Sequence, residues 1–165
     1  MPREYPSKPF VGVGAVIVDT LASGERRVAV IRRGTPPLLG EWSIPGGLVE
    51  LGETVRGAAA REALEETGLV VDVGHMGGGT SISSQPASGP GSVLGVFDRV
   101  VRDEAGRVQY HYVLVDILCG VLSGDLCAGG DAAAARWLTK QELNEFPIEE
   151  AARQVLLDGL TRSKS

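Results

Sequence analysis

The segment from Gly47 to Leu69 constrains the fold most strongly, because its apolar and acidic residues separate onto different sides of a helix. At about 100° per residue, Glu62, Glu65 and Glu66 fall within one sector of the helical wheel. The neighbouring sector contains small and apolar side chains, namely Ala59, Ala60, Ala63, Leu64 and Thr67. We therefore predict a helix over residues 55–67 that is buried on one side and acidic on another.

The acidic side is unfavourable for an isolated helix. Glu62 and Glu66 are like charges at i,i+4 spacing, which destabilises a helix by roughly 0.2–0.5 kcal/mol. Glu65 and Glu66 lie in the last turn, where the helix dipole favours cations instead. Hard divalent cations such as Mg²⁺ bind carboxylate oxygens, so a Mg²⁺ site would compensate these charges. The alternative is a solvated acidic helix end, which is the commoner explanation for charged helical faces.

The spacing of residues along the segment favours the metal site. The segment reads Gly47, five residues, Glu53, seven residues, Arg61-Glu62, an apolar residue, any residue, Glu65-Glu66, any residue, Gly68 and Leu69. This sequence resembles the Nudix hydrolase family, whose Nudix box has this pattern. An accidental match to its seven fixed letters is expected on the order of once in 10⁸ windows.

The resemblance implies both a fold and a metal site. The fold is α/β, a Nudix-type α/β/α sandwich around a mixed sheet. The metal site would use Mg²⁺, with Mn²⁺ able to substitute, held by the Gly46 carbonyl and the carboxylates of Glu62, Glu65 and Glu66. A GxWxxPGG lead-in, which commonly precedes the box, contains Gly46.

Further catalytic residues are implied by the resemblance. Arg61 should pair with Glu53 behind the metal and orient the carboxylates. Asp131 stands six residues before Trp137, where antimutator relatives carry an additional metal ligand or base. An ordinary loop aspartate is the alternative for this residue. The group that accepts a proton from water is then either Glu65 or Asp131.

Four residues are candidates for substrate binding. Arg32 and Arg33 end a predicted strand and could bind phosphate, although solvated strand-end charges are an equal alternative. Trp42 and Phe97 could stack on a nucleobase. For Trp42 a packing role is at least as common, and aromatic residues on strands, such as Phe97, more often belong to the core or the sheet surface.

The remaining chain reads as one domain. The 165 residues divide into an extended tail (1–9), a single Nudix hydrolase domain (10–160) and a polar tail (161–165). The domain contains the Nudix box (47–69) and a Gly/Ser/Pro-rich flexible loop (77–92). Strands are predicted at 10–18, 27–31, 69–73, 93–101, 107–118 and 134–138. A capping box at Thr139-Glu142 opens a short helix, and an amphipathic helix follows Pro147.

Composition limits the partners and the location. The net charge is −5 and no long basic run is present, so we expect no duplex nucleic acid as a partner. The N-terminus has no apolar core of a signal peptide, and no apolar stretch approaches a membrane span. Two cysteines without metal-ligand spacing suit a reducing compartment, so we expect a cytoplasmic protein. The N-terminal tail could contribute to a homodimer.

Three functions are compatible with these residues. The first is cleavage of a nucleoside diphosphate linked to another moiety. ADP-ribose is favoured here because the chain most resembles bacterial ADP-ribose pyrophosphatase-like members of the family, in the segments VGVGAVIV, EWSIPGG and HYVLVD and in Pro86, seventeen residues after Leu69. The second is pyrophosphate release from a nucleoside triphosphate, such as an oxidised one, as in antimutator relatives. The third is a nucleotide-binding module without catalysis. Such modules usually lack box carboxylates, all of which are present here.

Overall fold

The computed structural model of this chain describes residues 2–36, 38–74 and 88–162. Within these ranges the strands are β1 (Phe10–Thr20), β2 (Arg26–Arg33), β3 (Trp42–Ser43), β4 (Gly46–Leu48), β5 (Val70–Asp72), β6 (Val93–Arg102), β7 (Val108–Ser123) and β8 (Ala132–Thr139). The helices are α1 (Val55–Thr67), α2 (Lys140–Glu145) and α3 (Glu150–Arg162). Each predicted strand and helix corresponds to one of these elements.

The strands form one mixed sheet. Its order is β3-β2-β1-β7-β5, with β4 paired to β1, β6 to β7 and β8 to β2. β1 and β7 run parallel, whereas the other pairs are antiparallel. This arrangement confirms the predicted mixed sheet.

Helices cover both faces of the sheet. Successive side chains of β1 point to opposite faces, so this strand packs with helices on each side. Val13, Ala15 and Ile17 pack with three fully buried alanines of α1. Val16 and Val18 pack with apolar residues of α2 and α3 on the other face. The predicted α/β/α sandwich is therefore confirmed.

Local signals determine both ends of α1. Thr54 is the N-cap, and its hydroxyl accepts a hydrogen bond from the Gly57 N–H at 3.0 Å. Gly68 has φ of +69° and donates its N–H to the Leu64 carbonyl at 3.0 Å. Glycine favours this left-handed conformation because it has no Cβ. The predicted range 55–67 is confirmed.

Two regions contain more strand than the sequence predicts. β7 continues past the predicted end at Leu118 to Ser123, because its last residues pair with β5. The glycine-rich lead-in to the Nudix box also forms β3 and β4, which pair with β2 and β1. Both extensions depend on partner strands distant in sequence.

The end of the predicted flexible loop is held against the sheet. Gly91 and Ser92 are buried, the Gly91 N–H donates to the Leu118 carbonyl, and the Leu118 N–H donates to the Ser92 carbonyl. The prediction of a flexible loop is therefore wrong for these residues. Residues 77–87, including Pro86, lie outside the described part of the chain.

One predicted tail contacts the sheet, and the last helix extends into the other. The Tyr5 N–H donates to the Gln109 carbonyl at 2.8 Å, so the N-terminal segment contacts β7 of the same chain. At the other end, α3 includes Thr161 and Arg162. None of the helices described here has the length and apolar character needed to cross a membrane.

Candidate active site

The candidate site forms at the free edge of β4. This strand runs antiparallel to β1, and the Ala15 N–H donates to the Pro45 carbonyl at 2.7 Å. Hydrogen-bonded residues alternate along such a pair with residues whose N–H and C=O point away from the partner strand. Gly46 and Leu48 are in the second class, so their backbone groups face outward, toward α1.

Three consecutive residues of β4 contact side chains of α1. Glu66 Oε2 accepts a hydrogen bond from the Gly46 N–H at 2.8 Å. Arg61 Nη2 donates to the Leu48 carbonyl at 3.0 Å. Between them, the Glu62 carboxylate lies so close to Gly47 that a Cβ there would stand 2.2 Å from Glu62 Oε1. This close approach explains why residue 47 is a glycine.

Arg61 connects the carboxylates of the site. Its guanidinium donates to both oxygens of Glu53, at 2.8 and 3.0 Å, in bidentate geometry. Nη1 donates to Glu62 at 2.7 Å and to Glu65 at 3.3 Å. The predicted contact between Arg61 and Glu53 is therefore present, and Arg61 also contacts two of the predicted metal ligands.

The charges in the site are unevenly compensated. Burial raises the pKa of Glu66 to about 7, although the hydrogen bond from the Gly46 N–H opposes this effect. Burial also raises the pKa of Glu62, against the influence of Arg61. The hydrogen bond from Arg61 instead lowers the pKa of Glu53. Glu62 and Glu66 are thus the carboxylates that an additional cation would stabilise.

The donor set fits a hard divalent cation. Carboxylate oxygens and the outward carbonyl of Gly46 are the type of ligand that Mg²⁺ prefers. Among the described residues, no three acidic, histidine or cysteine side chains are already gathered as a ligand set. The hydrogen bonds explain this, since Glu62 and Glu65 point to Arg61 while Glu66 points to Gly46.

Two charged residues outside α1 act on Glu66. Arg33 lowers the pKa of Glu66 and Asp131 raises it. The Gly34 N–H donates to the Asp131 carbonyl at 2.8 Å, which connects the end of β2 to the turn before β8. The structure therefore places Arg33 and Asp131 on the α1 side of the sheet, near the predicted metal ligands.

Arg32 and Trp42 do not lie on the α1 side of the sheet with Arg33. Successive side chains of a strand alternate, so Arg32 faces away from Arg33. Its guanidinium is 6.0 Å from the Trp42 ring. The Trp42 ring packs edge-on against Phe146, with centroids 5.1 Å apart. A shallow recess here is lined by Arg32, Gly40, Glu41, Trp42, Pro147 and Glu149.

Phe97 and one residue missed by the sequence analysis lie on the paired strands β6 and β7. Phe97 projects from β6 and is 38% exposed. Asp116 on β7 is only 7% exposed, and burial raises its pKa to about 6. The signal that could have identified Asp116 is an isolated acidic residue inside the apolar run VLVDIL, because a buried charge requires compensation.

Comparison with known proteins gives matches over most of the chain. A family model described as NUDIX domain matches residues 8–158. The chain is 34% identical over 133 residues to the ADP-ribose pyrophosphatase of Methanocaldococcus jannaschii, covering 81% of this chain and 64% of that protein. The matched part thus spans just under two thirds of that relative.

Two further matches cover the chain to different extents. The putative 8-oxo-dGTP diphosphatase 2 of Mycobacterium tuberculosis is 56% identical over 45 residues, or 27% of this chain and 32% of that protein. The crystal structure of the MutT NUDIX hydrolase from Burkholderia pseudomallei has a TM-score of 0.63 and 26% identity, covering 92% of this chain and 98% of that one.

Proposed function

The chain belongs to the Nudix family, and from this premise we propose that it is a Mg²⁺-dependent pyrophosphohydrolase of nucleoside diphosphate derivatives. The first candidate substrate is ADP-ribose, cleaved by water to AMP and ribose 5-phosphate. Family members generally use divalent metal ions. The relative from Methanocaldococcus jannaschii, which matches most of this chain, supports the choice of ADP-ribose.

One observation carries the proposal: α1 presents its carboxylates to the outward-facing backbone of β4. Glu62, Glu65, Glu66 and the Gly46 carbonyl would hold Mg²⁺, which supplies positive charge for the diphosphate and lowers the pKa of a bound water. The raised pKa values of Glu62 and Glu66 support this role, because both carboxylates lack full compensation in the protein alone.

The surrounding residues would orient the reacting groups. Arg61 and Glu53 hold the carboxylates in place from behind. Arg33, on the same side of the sheet, is suited to bind a phosphate oxygen. The water oxygen forms a bond to one phosphorus while the bridging P–O bond breaks. The proton released from water passes to the carboxylate of Glu65 or Asp131.

A nucleoside triphosphate, for example an oxidised one, is the alternative substrate. Asp131 favours it, because this residue influences the pKa of Glu66 and the resemblance to antimutator members assigns a role to a carboxylate at this place in the sequence. The match to the putative 8-oxo-dGTP diphosphatase supports it over 27% of the chain. ADP-ribose remains the first choice because its relative matches 81% of the chain.

Resolving the reaction products tests the proposal directly. The full chain would be incubated with Mg²⁺ and either ADP-ribose or 8-oxo-dGTP, and the products separated by chromatography. AMP and ribose 5-phosphate from ADP-ribose are the expected result. Pyrophosphate from the triphosphate, with ADP-ribose left intact, would support the alternative. Hydrolysis of neither compound, nor of other nucleoside diphosphate derivatives, would contradict the proposed activity.

Replacing Asp131 by alanine should lower kcat by about 100-fold if its carboxylate accepts the proton, because general bases contribute roughly 10²–10⁴-fold. The side chain is exposed and the Gly34 N–H binds the backbone carbonyl, so the Tm should change little. Asp125→Ala, an exposed aspartate of the same loop, is the matched control. Wild-type kcat for Asp131→Ala would leave Glu65 as the proposed base.

A further inference from the structure

Asp116 occupies an unusual position in the sheet. It lies on the central strand β7, directly beside Gly14 of β1 in the parallel register. On its other side, Gly95 of β6 is its cross-strand partner. A Cβ at residue 14 would stand 2.0 Å from Asp116 Oδ1, so the carboxylate fills the space that a side chain of β1 would take.

The Asp116 carboxyl has no compensating group in the protein. Burial is the cause of its raised pKa, and among the described residues none donates a hydrogen bond to this carboxyl or forms an ion pair with it. Every fully buried side-chain oxygen or nitrogen of the described residues does have a hydrogen-bond partner. The Asp116 oxygens therefore reach solvent at their tip, which agrees with a residue that is 7% exposed.

An aromatic ring lies next to this carboxyl. Residues directly opposite in neighbouring strands project from the same face, so Gly95 and Asp116 share a face with Phe97 and Leu114. The Phe97 ring folds over Gly95, since a Cβ there would stand 2.5 Å from Phe97 Cζ. A partly exposed ring and an uncompensated carboxyl thus form one surface, which we call the Phe97–Asp116 surface.

This surface lies on the face of the sheet that α2 and α3 cover, because Leu118, two residues after Asp116 on β7, packs with these helices. It approaches the metal site at the edge of β4. Asp116, Gly14 and Gly46 form one row across β7, β1 and β4. Neighbouring strands are about 4.8 Å apart, so two spacings, or about 10 Å, separate Asp116 from the β4 residue that binds Glu66. A ribose that connects a phosphate to a base can span this separation.

We propose that the Phe97–Asp116 surface binds the nucleobase of the substrate, with Phe97 against the face of the ring and the Asp116 carboxyl hydrogen-bonded to a 6-amino purine edge. This inference rests on the proposed function and specifies which part of the substrate the protein recognises. Adenine presents an amino donor and a ring-nitrogen acceptor on this edge. Unsubstituted purine lacks this amino donor and keeps the ring nitrogen.

The chemistry of the carboxyl suits adenine. With a pKa of about 6, Asp116 can accept from the amino group, and its protonated form can also donate to the ring nitrogen. A bound base would supply the hydrogen bonds that the protein does not. A site that requires a particular hydrogen-bond donor discriminates strongly against an analogue without it, because its own polar group is then left unpaired.

The first test measures binding by the wild-type protein without turnover. Calorimetry with AMP and with purine riboside 5′-monophosphate compares bases with and without the amino group on the same ribose phosphate. We expect AMP to bind at least about tenfold more tightly, which is the selectivity of one well-formed base contact. Equal affinities would overturn the proposal. Because this test measures binding and not hydrolysis, its result does not depend on whether the protein cleaves ADP-ribose. Failure of this proposal and failure of the proposed function can therefore be told apart.

The second test uses two variants of Asp116. Asp116→Leu keeps the branching of the side chain but removes its hydrogen-bonding group, and it should lower the affinity ratio of AMP to purine riboside 5′-monophosphate at least about tenfold. Asp116→Asn keeps an oxygen that can accept from the amino group, so it should retain most of this ratio. If ADP-ribose is hydrolysed, the KM of Asp116→Leu for it should rise with little change in kcat, because the lost contact is remote from the reacting phosphates.

A matched control separates base binding from a general effect on the sheet. Asp98→Asn removes a charge from an exposed carboxylate of the neighbouring strand β6, and it should leave the affinity ratio of AMP to purine riboside 5′-monophosphate unchanged. Thermal melting establishes that the variants are folded. A folded Asp116→Leu variant with the wild-type ratio would overturn the proposal. If this variant does not fold, the wild-type comparison of AMP with purine riboside 5′-monophosphate decides.

Discussion

Replacing Glu66 by glutamine should reduce the Mg²⁺-dependent kcat by about 10³-fold while the protein remains folded. Glutamine keeps the size of the side chain and an oxygen that can accept from the Gly46 N–H. It removes the negative charge that a divalent cation needs. Loss of about 4 kcal/mol of transition-state stabilisation, within the several kcal/mol that a metal supplies, corresponds to this factor.

The measurement is steady-state hydrolysis at increasing Mg²⁺, with thermal melting as the check on folding. Glu145→Gln is the matched control, since Glu145 is an exposed glutamate at the end of α2 and should leave the kinetics unchanged. Full activity of Glu66→Gln at every Mg²⁺ concentration would exclude Glu66 as a metal ligand. A Tm lowered by many degrees would instead indicate that the residue is mainly structural.

The sequence predicts the parts of this site that depend on neighbours in the chain. Thr54 caps α1 and Gly68 ends it, and both effects act within one helical turn. The i,i+3 and i,i+4 spacing of Glu62, Glu65 and Glu66 follows from helical periodicity. These local rules give α1 and its acidic side without knowledge of the sheet.

The rest depends on how strands pair, which local rules do not determine. Gly46 faces α1 because of its register on β1, and a shift by one residue would turn its N–H inward. Asp116 borders Gly14 and Gly95 only because β1 and β6 pair with β7 at these positions. Strand pairing across distant segments is set by the whole core.

Arg32 and Arg33 are a second case in which the local sequence does not determine where side chains lie. Both residues end β2, and their sequence suggests one phosphate-binding unit. Strand alternation instead places Arg33 on the side of Glu66 and Arg32 beside Trp42, near α2 and α3. The two arginines can therefore contact different parts of a substrate, and only Arg33 lies on the side of the metal ligands.

Replacing Arg61 by methionine should lower the free energy of unfolding by about 2–3 kcal/mol, below the roughly 3–5 kcal/mol typical of fully buried pairs. Methionine keeps an apolar stem but leaves the Glu53 and Glu62 carboxylates, which are 18% and 12% exposed, without their cation. The expected loss of unfolding free energy is smaller than for a fully buried pair because the Arg61 side chain is 25% exposed, so solvent screens its charge. The kcat should also fall about 100-fold, because small displacements of positioning groups have effects of this size.

Arg61→Lys distinguishes positioning from stability. Lysine keeps the charge but not the planar fork that binds both oxygens of Glu53 and the Leu48 carbonyl together. We therefore expect a Tm near that of the wild type with a kcat still reduced, and a higher Mg²⁺ concentration for half-maximal activity. Arg27→Met breaks an ion pair of similar exposure with Asp19, which joins β2 to β1 and includes no predicted metal ligand, and it should retain full kcat. If Arg61→Lys had the wild-type kcat and Mg²⁺ dependence, Arg61 would serve only as a counter-charge, because its geometry would then have no effect on the carboxylates that carry the reaction.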